Sequence, residues 1–254
     1  MWNGAASGAQ VRSSLIDGCI HPRLENELIA AVVPAHNEQD LIGACLKSLL
    51  VASRCPRLAG ETALLVVVAD ACSDATEAIA RQLGAVIVSV DCRNVGMARR
   101  AGARVALRAG ARWLAFTDAD STVAPDWFAA QLALDADAVC GTVSVAEWGT
   151  YGLRMRIRYR AGYTDADGHR HIHGANLGVN SGAYHRAGGF PPLASSEDVA
   201  LVEALRTSGA SIAWSAAPRV MTSARRNFRA PGGFGATLQR MENQAAACAR
   251  GAFE

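Results

Sequence analysis

Trp113-Leu114-Ala115-Phe116-Thr117-Asp118-Ala119-Asp120 is an apolar run of strand length that ends in two carboxylates one residue apart. Such a pair offers hard oxygen ligands to a divalent cation, and a cation held there can neutralise a substrate diphosphate. The same residues also suit a plain turn, since Pro125-Asp126 announces a helix just downstream. The surrounding pattern has to decide between ligand site and turn.

Working outward, short β-branched runs alternate with helical patterns. Ile29 to Val33 precedes Asp40 to Ala52, Leu64 to Ala69 precedes Asp74 to Leu83, and Val86 to Val90 precedes Met97 to Ala109. Downstream of the acidic tripeptide, a helix over Pro125 to Leu134 leads to a strand near Ala138 to Val145. This alternation predicts an α/β fold with a mostly parallel central sheet flanked by helices. Ligands of open sheets of this kind lie at the carboxyl ends of the strands. Beyond residue 146 the alternation weakens, and a smaller, substrate-facing half is expected there.

The 254 residues suffice for one large domain, half of them are apolar, and the formal charge of +2 gives no reason to expect nucleic acid. Basic residues are nearly all arginine, Lys47 being the one lysine. Seven cysteines are scattered without a CxxC pair, and the odd total argues against a disulfide framework, so a cytoplasmic location is expected. No run of 18 apolar residues occurs, so a transmembrane segment is not expected, while peripheral membrane contact stays open. Residues 1–27, rich in Gly, Ser and Ala, read as a flexible leader, which leaves 28–254 as a single domain.

Polar clusters follow each strand. Pro34-Ala35-His36-Asn37-Glu38 could hold a base or ribose, or Asn37 could cap the next helix. In Asp70-Ala71-Cys72-Ser73-Asp74-Ala75-Thr76, Asp74 reads as a cap and Asp70 asks for another explanation. Asn94-Val95-Gly96-Met97-Ala98-Arg99-Arg100 sends arginines off a helix start, an arrangement that suits phosphate or a solvated basic face. No GxGxxG follows the first strand and no GxxxxGK[ST] occurs, which removes dinucleotide-binding and P-loop enzymes.

These turns, in this order, resemble the nucleotide-sugar site of the GT-A-fold glycosyltransferases of family 2, with Asp118-Ala119-Asp120 as the DxD motif. Gly174-Ala175-Asn176-Leu177-Gly178-Val179, Ala187-Gly188-Gly189-Phe190 and Glu197-Asp198 are similar to the family's acceptor-side segment and ED motif, so the resemblance covers about residues 28–222. It implies a nucleotide-binding half over about 28–122 and an acceptor half over about 123–254 that ends in a flexible tail. It further implies a metal-dependent hexosyltransferase-like enzyme that moves one sugar from a UDP- or GDP-sugar to an unidentified acceptor. On that resemblance Pro34, Ala35, Asn37, Glu38, Asp70, Asn94, Gly96, Arg99, Asp118 and Ala119 would contact the donor. Asp118 and Asp120 would hold Mn²⁺ or Mg²⁺, and Asp198 would be the general base of an inverting displacement. His171, His173, Asn176 and Glu197 would touch the acceptor or the donor sugar.

Several features depart from the family's pattern or leave other readings open. No histidine follows the ED motif, where Val220-Met221-Thr222-Ser223 stands, so the metal would rely on carboxylate, phosphate and water. The QxxRW sequence of processive members is missing, and a related retaining group shares much of the pattern. Glu197 and Asp198 also suit an acidic helix start after Ser195-Ser196. Alternate spacing in His169-Arg170-His171-Ile172-His173 puts three imidazoles on one face of an extended segment, which suits a transition metal, a sugar contact or a polar surface strand. Arg154, Arg156, Arg158 and Arg160, with Arg225, Arg226 and Arg229, suit an anionic acceptor, closure over the diphosphate, or solvated faces. A sugar-phosphate nucleotidyltransferase and a non-catalytic nucleotide-sugar-binding module are the competing functions.

Overall fold

A computed structural model describes residues 27–145, 147–228 and 232–251. The expected leader lies outside these residues except for residue 27, as do Arg229 and Pro231. The first half alternates as the sequence predicts: β1 (Leu28–Ala35), α1 (Ile42–Ala52), β2 (Thr62–Asp70), α2 (Thr76–Gln82), β3 (Val86–Val90), α3 (Val95–Arg108) and β4 (Trp113–Phe116). β1 lies between β2 and β4, parallel to both, so that Val32 stands level with Val66 on one side and Phe116 on the other. A central strand covered on both faces has to be apolar throughout, which is why Leu28–Ala35 shows no polar position.

The period of two sorts its side chains into two cores. Ile29, Ala31 and Val33 pack with Ile42, Leu46 and Leu49 of α1, whereas Ala30 and Val32 pack with Ala98, Ala103 and Ala106 of α3. The small residues of α3 let it settle close to the sheet. A Cβ on Gly102 would come within 2.8 Å of Val68 Cγ2.

The second half comprises β5 (Ser121–Val123), α4 (Trp127–Leu132), β6 (Ala138–Val145), α5 (Leu153–Gly162), β7 (Leu177–Asn180), α6 (Ser181–Arg186), α7 (Glu197–Thr207), β8 (Ile212–Thr222) and α8 (Phe234–Gly251). One sheet in the order β3-β2-β1-β4-β7-β6-β8-β5 runs through both halves. β7 enters antiparallel between β4 and β6, and β5 pairs antiparallel with β8 at the edge. The sheet is therefore mixed, with its parallel order concentrated in β3-β2-β1-β4 and the β6–β8 pair.

The arginines at 154, 156, 158 and 160 sit on helix α5, where alternate spacing spreads them around the axis. The C-terminal stretch expected to be a flexible tail contains α8, whose Leu238 is fully buried against a third cluster with Met155 and Tyr159. Among the described residues no helix is long and apolar enough to cross a membrane.

Candidate active site

The sheet reverses its winding at β1: the chain steps outward through β2 to β3, then returns to the other side of β1 as β4. A crevice opens at the carboxyl ends of strands where such a reversal occurs. Pro34 and Ala35 close β1 there, level with Val68 and Ala69 of β2. The turns that follow are laced together. His36 Nδ1 lies 2.6 Å from the Asp70 carbonyl oxygen, Ser73 N–H donates to Asn37 Oδ1 at 2.8 Å, and Glu38 N–H donates to Thr76 Oγ1 at 2.8 Å. Asn37 adopts a left-handed φ of 52° and does not cap α1, whose first turn follows Leu41. Asp74 accepts from the Thr76 and Gln39 N–H groups, which is the capping role its position predicts.

Asp70 is buried, and its carboxylate accepts three main-chain N–H bonds: Cys92 at 2.7 Å, Arg93 at 2.8 Å and Asn94 at 2.9 Å. A carboxylate has about four lone-pair sites, so the group assigned by resemblance to the base is largely occupied in bracing the β3–α3 turn. Asn94 caps α3 by accepting from Met97 N–H, and its amide donates to the Pro192 carbonyl. Gly96 lies beneath the same loop and donates its N–H to the Leu193 carbonyl at 3.1 Å.

The charged heart of the site lies between α3, β4, α7 and the segment after β8. Arg99 is only 3% exposed, and its guanidinium bridges Glu197 to Asp118. Arg99, expected to contact the donor, is held inside by both carboxylates. A Cβ on Gly174 would collide with this guanidinium, so the residue before Ala175 and Asn176 has to be glycine. Burial would lower the Arg99 pKa, but Asp118, Glu197 and Asp198 together raise it. Glu197 is pushed upward, chiefly by burial, with Arg99 opposing. Arg225 forms a second bridge, to Glu38 and, at 3.3 Å, to Asp120. Asp120 is raised to about 7 by burial and by Asp118, with Arg225 working against both. Ala119, between the two acids, is buried at 3% exposure.

Asp198 opens α7 beside Glu197. Both acids stand in the first turn of α7, the acidic helix start that the sequence also suits, while the preceding Ser196, with a left-handed φ of 59°, makes no side-chain cap. Gly174 N–H donates to Asp198 Oδ2 at 2.8 Å, and Val199 N–H donates to Oδ1. His173, next to Gly174, is lowered to about 4 by burial and by His171, with Asp198 opposing. Its Nε2 lies 3.0 Å from Tyr163 Oη, which also accepts the Val143 N–H.

The three imidazoles do share a face. His169, His171 and His173 stack in sequence, with Tyr163 lying 4.2 Å from His171 between centroids. Each ring has a protein partner: Ser215 and the His171 N–H for His169, the Thr164 N–H for His171, and Tyr163 for His173. Asn176 departs from expectation. It is completely buried, accepts from Trp127 Nε1 and donates to the carbonyls of Thr142 and Pro218, so it stitches the bulge between β6 and β8.

Among the described residues no three His, Cys, Asp or Glu side chains converge to hold a metal unaided. A divalent ion nevertheless fits the donor set. Glu38, Asp118, Asp120 and Glu197 face two guanidiniums, Arg99 and Arg225, leaving two uncompensated negative charges. Burial first, and the Asp118 and Glu38 charges after it, raise Asp120. Asp118 and Asp120 would contribute hard oxygens, and the remaining positions would fall to substrate phosphate and water.

Sequence reasoning missed the pairing of Arg225 with Glu38 across 187 positions and the coupling of Tyr163 to His173. Neither has a local signal. For Arg225 the one available clue is its place just beyond the last strand.

Residues 30–187 match the sequence profile of Glycosyl transferase family 2. Several solved structures share the fold. S. aureus TarS 1–349 in complex with UDP-GlcNAc is 18% identical with a TM-score of 0.57, over 80% of this chain and 60% of that one. Mannosyltransferase PcManGT from Pyrobaculum calidifontis, in complex with GDP-Man and Mn²⁺, is 22% identical with a TM-score of 0.57, over 80% and 59%. A mycobacterial protein is 20% identical with a TM-score of 0.55, over 78% and 68%. The chain thus spans about three fifths of the length of the TarS 1–349 and PcManGT chains. No curated protein matches it.

Proposed function

We propose, from the premise that this chain belongs to glycosyl transferase family 2, that it transfers a single hexose from a UDP- or GDP-sugar to a hydroxyl acceptor. The observation that carries this reading is the gathering of four carboxylates, Glu38, Asp118, Asp120 and Glu197, against the two guanidiniums of Arg99 and Arg225, in the crevice of the sheet's winding reversal. One guanidinium, Arg99, separates Asp118 from Glu197 and thus from the helix start that bears Asp198.

Asp118 and Asp120 would hold Mn²⁺ or Mg²⁺, which when bound neutralises the diphosphate as it leaves. The chain's own residues do the rest. Asn37, Glu38 and the turn braced by Asp70 line the nucleoside side. Arg99 keeps Glu197 and Asp118 in register, and its burial makes it a positioning group. Arg225, bridging Glu38 and Asp120, holds a positive charge beside the acids that would face donor phosphate. Asp198 removes the acceptor proton as the hydroxyl attacks the anomeric carbon. Gly174 N–H holds that carboxylate in place, and direct displacement inverts the carbon. A neutral His173 beside it presents no competing cation to the carboxylate at physiological pH. The five described cysteines, all free, suit a reducing cytoplasm.

Thermal unfolding in a panel of UDP- and GDP-sugars, with and without Mn²⁺, tests the reading. One sugar nucleotide should stabilise the protein by about 3 kcal/mol at 100 times its dissociation constant, and only with the metal. Stabilisation by a nucleoside triphosphate together with a sugar phosphate, and release of pyrophosphate, would mark a nucleotidyltransferase instead.

A further inference from the structure

Helix α5 buries little of itself. Met155 and Tyr159, one turn apart, anchor it on Trp148, Tyr151 and Leu238. On the opposite side Leu153 and Ile157 are 70% and 59% exposed, the highest values among the large hydrophobic side chains of the described residues. At about 100° per residue, Arg154 and Arg158 flank this apolar ridge on one side and Arg156 and Arg160 on the other. The ten residues of α5 carry four arginines and no acid, whereas the whole chain has a net charge of +2. Arg156 donates to the Tyr151 carbonyl, and among the described residues the other three have no hydrogen-bond or ion-pair partner.

An apolar ridge pointing away from the protein, bordered on both sides by unpaired guanidiniums, matches a surface with carbon beneath and phosphates above. We propose that α5 is an interfacial helix that seats on a bilayer containing anionic phospholipid. Leu153 and Ile157 enter between acyl chains, while the arginine stems lie along the same layer and their guanidiniums pair with lipid phosphates. Charge argues against a second copy of this chain as the occupant, since two such helices face to face would gather eight guanidiniums. The shape argues against a peptide: the ridge is convex and offers no groove, whereas a membrane conforms to it. Because the helix leads directly to Tyr163, which contacts His173, a docked α5 brings the bilayer to the Asp198 side of the molecule. The proposal concerns a surface and holds whether or not the transferase reading does.

Co-sedimentation of the full chain with vesicles tests it, comparing phosphatidylcholine alone with phosphatidylcholine containing phosphatidylglycerol. Binding should require phosphatidylglycerol and weaken as salt rises. Removing the ridge in Leu153→Ser/Ile157→Ser, or two charges in Arg154→Gln/Arg158→Gln, should each weaken binding by roughly tenfold or more, with the unfolding midpoint unchanged. As a control, Arg100→Gln/Arg104→Gln/Arg108→Gln removes three exposed charges from α3, which has no such ridge, and should weaken binding by less than about threefold. Three results would overturn the proposal: no binding to phosphatidylglycerol vesicles at low salt, equal loss in the α3 and α5 variants, or a dimer in solution that Ile157→Ser dissociates. The first would assign the ridge to a protein partner and the last to a second copy.

Discussion

The two ends of the sheet are built by different rules. In β3-β2-β1-β4 the strands β1, β2 and β3 are each followed by a helix, and each candidate turn follows its strand by a few residues. In β7-β6-β8-β5 neighbouring strands come from distant parts of the chain: Leu114 meets Val179, and Thr122 meets Met221. In the first region Asp70 and Asp74 are held by main-chain N–H groups. In the second, the charged groups are positioned by long-range ion pairs, as when Glu197 reaches back to Arg99 and Arg225 back to Glu38. The proposed donor side thus rests on turns braced by main-chain bonds, and the proposed base opens a helix tied to that side by the buried Glu197–Arg99 bridge.

That division can be broken most visibly at Asp198. Asp198→Asn should lower transfer by about 10²- to 10⁴-fold while leaving donor affinity within about threefold, as measured by steady-state kinetics beside calorimetry. Parallel loss of binding would mean that the two regions do not divide the work. The bridge comes next. Glu197→Gln leaves Arg99 buried with one carboxylate partner and should cost about 3–5 kcal/mol. Breaking the exposed Arg57–Asp126 pair by Asp126→Asn should cost under about 1 kcal/mol. Urea titration of both variants sharpens the contrast.

A smaller effect of opposite sign is expected at Asp120. Its folded pKa stands near 7, against an ordinary value of 3.8. Across that window the fold holds a proton that the unfolded chain releases, so without divalent metal the carboxylate loses stability as pH rises. Asp120→Asn should therefore stabilise the metal-free protein at pH 8 by roughly 3 kcal/mol, and much less at pH 4. His173 behaves the other way, since its folded pKa is near 4 against 6.5. Between those values the unfolded chain binds the proton, so its contribution falls as pH drops. Relative to His173→Asn, the wild type should lose about 2 kcal/mol between pH 7 and pH 4.

How much was legible in the sequence follows the same division. The sequence runs for β3 and β6 coincide with the strands to the residue and those for β1 and β2 to within two, the latter pair being buried parallel strands that read as apolar runs. β5 has three residues and gave no period. The arginine series at 154–160 looked like alternation, but Met155 and Tyr159, spaced four apart, were the buried face of a helix. Among site residues, Asp118, Asp120, Glu197 and Asp198 stand out by motif; the structure pairs Asp118 and Glu197 with Arg99, Asp120 with Arg225, and Asp198 with the Gly174 N–H. Asn176 carried the right motif and a structural job: its amide fits one bulge that only the pairing of β6 with β8 creates. Residue type and spacing can mark where acids gather. They cannot show which of them a distant arginine has already claimed.

The most direct test of the central claim, that Asp118 and Asp120 supply a divalent-metal seat for the donor's diphosphate, is calorimetric titration of the preferred sugar nucleotide into wild type and Asp120→Ala, each with and without Mn²⁺. The account predicts that Mn²⁺ tightens binding to the wild type by at least tenfold, about 1.4 kcal/mol, and leaves Asp120→Ala unchanged. Equal affinity in all four titrations, with both proteins folded, would contradict it.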